Sequence, residues 1–402
     1  MNLLVLTGYW PTRDNPISGI FVVQQLEALI RTGVTLTVII PVTIGRYKPL
    51  LTLKELNLCS TRIRIIKMPV LRLPEILSSL PGAIRLNTMI FGIMTEIFIR
   101  GQRKIQDFDG CIVHGIRYVG LSIPFWRRHI LGRIAIVVHG VDTFMIDIRN
   151  QIVVRKLCIS ADAACDSVML VGQSLRNHSI ALGFSSLKIK VIPNGTNLPP
   201  RHEINFTQRS SNKIRKVLSV SNLIPLKGLD DNLRALAIIS KEHPNLKWEY
   251  RIVGDGPYKS VLQELASQLK IGNNVLFLGR LAYDETMQEM SNCDIFSLPS
   301  WGEAFGIVYL EAMARGRPVV GCLNNGAADI INHDFDGVLV EPKSYHLLAN
   351  VLVRLLSNPQ ECAILGNNAR TTAERFTWDV NAYRICHSLN ENICDCFPVI
   401  NK

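Results

Sequence analysis

The stretch Cys293-Asp294-Ile295-Phe296-Ser297-Leu298-Pro299-Ser300-Trp301-Gly302-Glu303-Ala304-Phe305-Gly306-Ile307-Val308-Tyr309-Leu310-Glu311 decides how this chain is read. Its first six residues predict a short buried strand that stops at Pro299. Ile307–Arg315 predicts a helix, with apolar Val308, Leu310 and Ala312 and a stop at Gly316. Glu303 then lies in the loop at the strand's C-terminal end, and Glu311 on the helix that follows. Open α/β sheets bind ligands outside the carboxyl ends of their strands. Backbone N–H groups at Phe305 and Gly306 would open the helix and favour an anion. Two acids flanking such donors suit a polyhydroxy ligand joined to a phosphate. Surface helices carry Glu often, so the spacing of the acids is weak by itself. The preceding strand, the Pro-Ser turn and Phe-Gly give it weight.

The same strand-then-helix rhythm runs outward in both directions. Upstream, Leu3–Thr7, Leu36–Pro41, Ile63–Met68, Cys111–His114, Ile134–His139, Val168–Val171 and Lys190–Ile192 read as short buried strands. Helical segments such as Phe21–Arg31 lie between most of them. The turn formers Pro193–Pro200 and the polar stretch Arg201–Lys213 interrupt the pattern and mark a domain boundary. Beyond it, strands are expected at Val217–Val220, Glu249–Val253, Val275–Leu278, Ile295–Leu298, Pro318–Gly321 and Gly337–Val340. Helices are expected at Asp230–Lys241, Tyr258–Leu269, Glu285–Asn292 and Tyr345–Leu356. The fold class is α/β: two Rossmann-like, doubly wound domains facing a cleft. At 402 residues and 48% hydrophobic content the chain has enough material for two cores.

Composition narrows the partners. Residues 1–195 hold 23 Lys+Arg against 11 Asp+Glu, a net +12, whereas residues 196–402 carry a net −1. A basic half suits an acidic partner: nucleic acid, an anionic membrane surface, or only solvent around an unspecific basic face. No nucleic-acid module signature is visible, so no nucleic acid is expected. No apolar run reaches membrane-spanning length, and Met1–Gly8 lacks the basic start of a signal peptide, so the expectation is cytoplasmic. Leu86–Arg100 is apolar nearly all round and is followed by Arg103 and Lys104. It reads as a packed helix, with a helix resting on a bilayer surface as the alternative. The ten cysteines contain no Cys-x2-Cys pair. Cys111 and Cys293 read as core residues, and Cys394-Asp395-Cys396 has no partner cluster, so no metal site is assigned.

Four further places carry candidate chemistry. Gly254-Asp255-Gly256-Pro257 follows a strand, where glycines let the backbone approach a ligand closely; a plain tight turn is the alternative. Lys227 in Pro225-Leu226-Lys227-Gly228 is placed to neutralise a phosphate, although a surface lysine would look the same. His139 in His139-Gly140-Val141-Asp142 ends an apolar strand and can hydrogen-bond a hydroxyl or a developing charge; a satisfied core histidine is the alternative. Ile17-Ser18-Gly19-Ile20-Phe21 opens a helix whose N–H groups can meet a phosphate or an acceptor, or serves only as a connector.

Taken together, Lys227-Gly228, Gly254-Asp255-Gly256, Glu303-Ala304-Phe305-Gly306 to Glu311 and His139-Gly140-x-Asp142 resemble retaining glycosyltransferases of the GT-B fold, family 4. Asn15–Val22 resembles members that build bacterial surface polysaccharides, including the teichuronic acid enzymes. Phe376-Thr377-Trp378-Asp379 resembles the family's late aromatic motif. The resemblance covers nearly the whole chain and is loosest over residues 45–130. It implies an acceptor-binding domain over 1–200, a nucleotide-sugar domain over 201–375, and a helix over 376–402 that crosses back to the first domain. It implies that Glu311 holds ribose hydroxyls, and that Glu303 with the Phe305 and Gly306 backbone holds the donor sugar and phosphate. Lys227 would steady the diphosphate, with Asn222 and Gly254 beside the nucleotide sugar and Arg280 by the nucleobase. His139 would lie by the transferred sugar, and Gly19 would line the acceptor or phosphate loop. Two departures stand out: Ser221-Asn222 replaces a Gly-Arg pair, and Ala328-Asp329 replaces Pro-Glu. Asn222 can hydrogen-bond but brings no charge.

The reaction so implied transfers a sugar from a nucleotide-diphosphate sugar to a lipid-linked or saccharide acceptor, with retention and without metal or other cofactor. Peripheral contact with an anionic membrane at the inner face of the cell membrane fits the basic first half. Two other classes stay open: a GT-B-like nucleotide-sugar epimerase, and a non-catalytic nucleotide-sugar-binding partner.

Overall fold

A computed structural model describes residues 1–45, 49–58, 60–71, 82–101, 108–140, 151–204 and 214–390. The expectations placed on Cys59, Arg103, Lys104, Asp142, Cys394 and Cys396 lie outside the described residues. The chain divides into two compact units: residues 1–194 with the segment from Trp378, and Gly195–Thr377.

The first unit is a seven-stranded parallel sheet in the order β3-β2-β1-β4-β5-β6-β7. Its strands are β1 (Asn2–Thr7), β2 (Thr35–Thr43), β3 (Ile63–Val70), β4 (Gly110–His114), β5 (Arg133–Val138), β6 (Ser167–Leu170) and β7 (Ile189–Val191). Helices α1 (Ile20–Arg31), α2 (Ala83–Gly101), α3 (Ile123–Trp126), α4 (Gln151–Ala164) and α5 (Arg176–Ala181) connect them. The central strands are buried on both faces, and β4 is buried throughout. A strand covered on both sides reads as a continuous apolar run, which is why the sequence marks these so well.

The second unit is a six-stranded parallel sheet in the order β10-β9-β8-β11-β12-β13. Its strands are β8 (Arg215–Val220), β9 (Trp248–Val253), β10 (Val275–Gly279), β11 (Ile295–Ser297), β12 (Val319–Cys322) and β13 (Gly337–Val340). Its helices are α6 (Leu229–Glu242), α7 (Lys259–Gln268), α8 (Tyr283–Asn292), α9 (Ile307–Met313), α10 (Tyr345–Ser357) and α11 (Pro359–Ala373). Strand β11 is shorter than the six-residue reading, because Asp294 turns its carboxylate to the Lys216 N–H at 2.8 Å and to Arg215 at 3.3 Å. Helix α9 ends at Met313, ahead of Gly316, which takes a left-handed φ of 68°. A polar cluster pins α6 to the sheet centre. Asn232 Nδ2 donates to the Tyr250 hydroxyl at 3.0 Å and to the Ser297 carbonyl at 3.1 Å, and Ser297 Oγ donates to Asn232 Oδ1 at 2.7 Å. A buried network holds its members rigidly when its polar atoms find partners.

The final helix, α12 (Trp378–Leu389), belongs to the first unit. Trp378 Nε1 donates to Gln24 at 3.1 Å, Gln25 donates to Asn381 at 2.8 Å, and Arg31 pairs with Asp379 at 2.8 Å. All three partners lie on α1. Cys111 and Cys293 are buried, as expected of core residues. Among the described residues no helix is long and apolar enough to cross a membrane.

Candidate functional site

Each sheet reverses its strand order once, between β1 and β4 in the first unit and between β8 and β11 in the second. Such switch points leave a crevice at the carboxyl ends of the strands, where ligands of open α/β sheets bind.

In the second unit the switch point brings together residues far apart in sequence. Lys227, in the turn after β8, and Glu303, in the loop after β11, form an ion pair of 2.6 Å. Both side chains are mostly buried. Backbone packing explains their meeting. Gly228 has φ 65°, and a Cβ there would come 2.2 Å from the Pro299 carbonyl oxygen, so the Lys227 turn lies directly on the start of the Glu303 loop. A side chain at Gly228 is barred by both strain and contact. The Glu303 loop is held from the other side by Asn325, whose Nδ2 donates to the Ser300 carbonyl at 2.7 Å, and by the Gly326 N–H, which donates to the Glu303 carbonyl at 2.9 Å.

Gly306 caps α9 in the left-handed region at φ 88°, with the Tyr309 ring where a Cβ would go. The Phe305 side chain is buried, its ring centroid 6.3 Å from that of Phe376, and its backbone N packs against Gly326. Glu311 is 7% exposed. Burial pushes its carboxyl up to about 7, against the lowering effect of Arg315 and of a hydrogen bond from Tyr283. A carboxylate so poised gains from hydroxyl donors that replace lost water. Asn222 is exposed just past β8, and Arg280 is exposed just past β10.

The glycine pair has a partner in the chain itself. Gly254 sits at φ 133°, and a Cβ there would come 1.8 Å from the Ser221 carbonyl oxygen; one at Gly256 would come 2.4 Å from that of Leu223. The close approach expected to serve a ligand is made instead to the chain's own loop after β8. The Gly254 N–H also donates to Gly279 at 2.7 Å, which ties the ends of β9 and β10 together beside Arg280.

In the first unit the switch point is aromatic. His139, just past β5, packs against Phe21 and Tyr9, with ring centroids 4.7 and 5.4 Å away. It stacks on His114, the last residue of β4, and His114 Nδ1 lies 3.0 Å from His139 Nε2. Burial drives both imidazoles well below the usual histidine value, so both are neutral near pH 7. Gly19, at φ 74°, fits because a Cβ there would meet the Tyr9–Trp10 backbone at 2.7 Å. The loop it opens therefore lies beside Tyr9. A cavity of about 290 Å³ is lined by Gly8, Tyr9, Thr43, His114, Arg117 and Tyr118 among others. Among the described residues, buried His114 Nε2 has no hydrogen-bond partner. Sequence reading missed His114, because it closes the apolar run Cys111–His114 and looked like one more strand residue.

Residues 200–372 match the family model for glycosyl transferases group 1. This segment contains Lys227, Glu303 and Glu311. Relatives match along with it. The uncharacterized glycosyltransferase MJ1607 of Methanocaldococcus jannaschii is 34% identical over 54% of this chain and 60% of its own length. A GDP-mannose-dependent monoacylated alpha-(1-6)-phosphatidylinositol monomannoside mannosyltransferase of Corynebacterium glutamicum is 33% identical over 42% of this chain and 45% of its own length. The matched part thus spans about half the length of these curated relatives. The two parallel-sheet α/β units match the fold of GT-B glycosyltransferase structures. Sucrose-phosphate synthase from Thermosynechococcus elongatus aligns with TM-score 0.73 at 19% identity, over 96% of this chain and 98% of that one. Anabaena Alr3699/HepE in complex with UDP and glucose aligns with TM-score 0.69 at 20% identity, over 97% and 100%.

Proposed function

We propose that this protein is a retaining glycosyltransferase of family 4. It would move a sugar from a nucleotide-diphosphate donor to a lipid-linked or saccharide acceptor in polysaccharide synthesis. The observation that carries the reading is the Lys227–Glu303 pair at the β8/β11 switch point, inside the segment that matches the group 1 model. A diphosphate arriving there meets the Lys227 ammonium. Glu303, released from its full share of that charge, turns to hydroxyls of the donor sugar. Glu311 takes the ribose hydroxyls. The Phe305 and Gly306 N–H groups, Asn222 and the loop at Gly254 supply uncharged contacts, with Arg280 by the base. His139 lies with the transferred sugar, and the Gly19 loop with the acceptor or its phosphate.

The bond from the anomeric carbon to the diphosphate oxygen breaks, and one to the acceptor oxygen forms on the same face. The acceptor proton passes to the departing diphosphate, so no side chain needs to act as nucleophile. Negative charge grows on the diphosphate, and Lys227 with preorganised backbone donors lowers that barrier. Lys227 occupies the role a divalent cation would take, so the proposed reaction needs no metal. His139, being neutral, contributes a hydrogen bond rather than a charge. The proposed setting is the cytoplasmic side of a membrane with an anionic surface.

Calorimetry with UDP, GDP and ADP tests the donor assignment, and a donor-sugar panel with saccharide and lipid-linked acceptors then tests transfer. One nucleotide is expected to bind and its sugar to be transferred with retained configuration. Absence of binding by all three would remove the reading. Isomerised sugar from donor alone would replace it with an epimerase, and binding without turnover over the panel with a non-catalytic partner.

A further inference from the structure

We propose that the outward face of α2 is a docking surface for an anionic lipid bilayer. It rests on the proposed peripheral contact with a membrane and names the surface that makes it; it does not depend on sugar transfer. The helix carries apolar residues on its outer face as well as its inner one. Towards the unit it turns Asn87, Thr88, Gly92 and Thr95, all buried, together with Ile84, Phe91 and Ile99. The helix comes close to α3 at Gly92, where a Cβ would lie 2.4 Å from the Phe125 ring. Towards solvent it turns Leu86, Met89, Ile93 and Ile97, which are 41, 41, 42 and 64% exposed. At 3.6 residues per turn these four share roughly 80° of arc, a single continuous stripe. Water-facing helices place such residues the other way round.

Charge selects the occupant. The helix carries three charged residues, Arg85, Glu96 and Arg100. Arg100 falls on the stripe and Arg85 at its border, and both are exposed. Glu96 is mostly buried and is engaged by Arg128 and His129. The Arg128 side chain remains 70% exposed beside it. An apolar stripe framed by Arg85 and Arg100, which pair with no acid among the described residues, matches a surface that is oily within and negative at its headgroups. The net +12 of residues 1–195, against −1 for the rest, makes this half the one drawn to such a surface.

The test is flotation of the full chain with vesicles of phosphatidylcholine alone or with a third phosphatidylglycerol, at low and high salt. Wild type is expected to bind the anionic vesicles, and to lose binding as salt rises. Ile93→Ser with Ile97→Ser is expected to weaken that binding at least tenfold, and Arg85→Ser with Arg100→Ser several-fold. Ile364→Ser, at an exposed isoleucine on α11, is the control and is expected to bind as wild type. Insertion is read independently by Ile97→Trp, whose added fluorescence is expected to be quenched by brominated lipid. Wild-type binding to anionic vesicles with unaffected stripe variants and no quenching would leave the membrane contact standing and overturn the α2 assignment. Equal binding to neutral and anionic vesicles, or none, would overturn both. A dimer that the stripe variants convert to monomer, with vesicle binding unchanged, would give the face to a second copy instead.

Discussion

The two switch points share a topology and differ in chemistry. The one between β8 and β11 holds an ion pair and, one helix away, a buried acid poised near neutrality. The one between β1 and β4 holds two stacked neutral imidazoles among aromatic rings. Charge at the first is countered from within the protein before any ligand arrives. At the second, ligand recognition would rest on shape, aromatic contact and single hydrogen bonds. A parallel sheet thus offers a position, and the loops that leave its strand ends decide what is recognised there.

The sharpest way to break this contrast is at the charged end. Lys227→Ala is expected to cut transfer by about 10²-fold or more, as loss of a charged transition-state contact does. Steady-state rates with the identified donor check it, and wild-type turnover would count heavily against the assignment. Glu311→Ala is expected to lose about as much, chiefly through donor binding, read by calorimetry.

The acid at Glu311 also predicts a pH dependence. If its carboxylate binds the ribose hydroxyls, nucleotide affinity falls about tenfold from pH 8 to pH 6 as a group titrating near 7 takes up its proton. Calorimetry in buffers of different ionisation enthalpy should show proton release on binding, and Glu311→Gln should abolish it. Stability carries the opposite sign. A carboxyl raised from 4.5 to about 7 by folding stabilises most below its unfolded value, and that contribution is lost as pH rises through 7. Glu311→Gln is therefore expected to be more stable above pH 7, by at most on the order of 3 kcal/mol, in urea melts.

The neutral end is expected to respond more gently. His139→Ala should lower transfer roughly fivefold through one lost neutral hydrogen bond. With its imidazole uncharged, wild type should show no activity step near pH 6.5 that the variant lacks. A pH–rate comparison of the two decides this. The smallest effect is expected from chelator, which should leave the rate unchanged.

The strands were legible because apolar runs such as Leu3–Thr7 and Ile134–His139 end abruptly at glycine, and β4 at His114. The placement of Lys227, Glu303 and His139 in the loops after strands was legible for the same reason. What the residues could not convey was pairing. Lys227 and Glu303 lie 76 positions apart, and only the strand order puts β8 beside β11. The partner of Gly254 was equally hidden, since glycine signals a close approach without saying to what. Helix α2 defeated composition counting: it is apolar nearly all round in sequence, and only the structure shows that the face with Gly92, packed against Phe125, is the buried one.

The attachment of α12 to α1 has a consequence for biosynthesis. The second unit is one uninterrupted stretch and is complete once Thr377 is made. The first unit still lacks the hydrogen-bond partners of Gln24 Oε1 and Gln25 Nε2 until Trp378 and Asn381 have left the ribosome. The half that is translated first is therefore the half that is finished last.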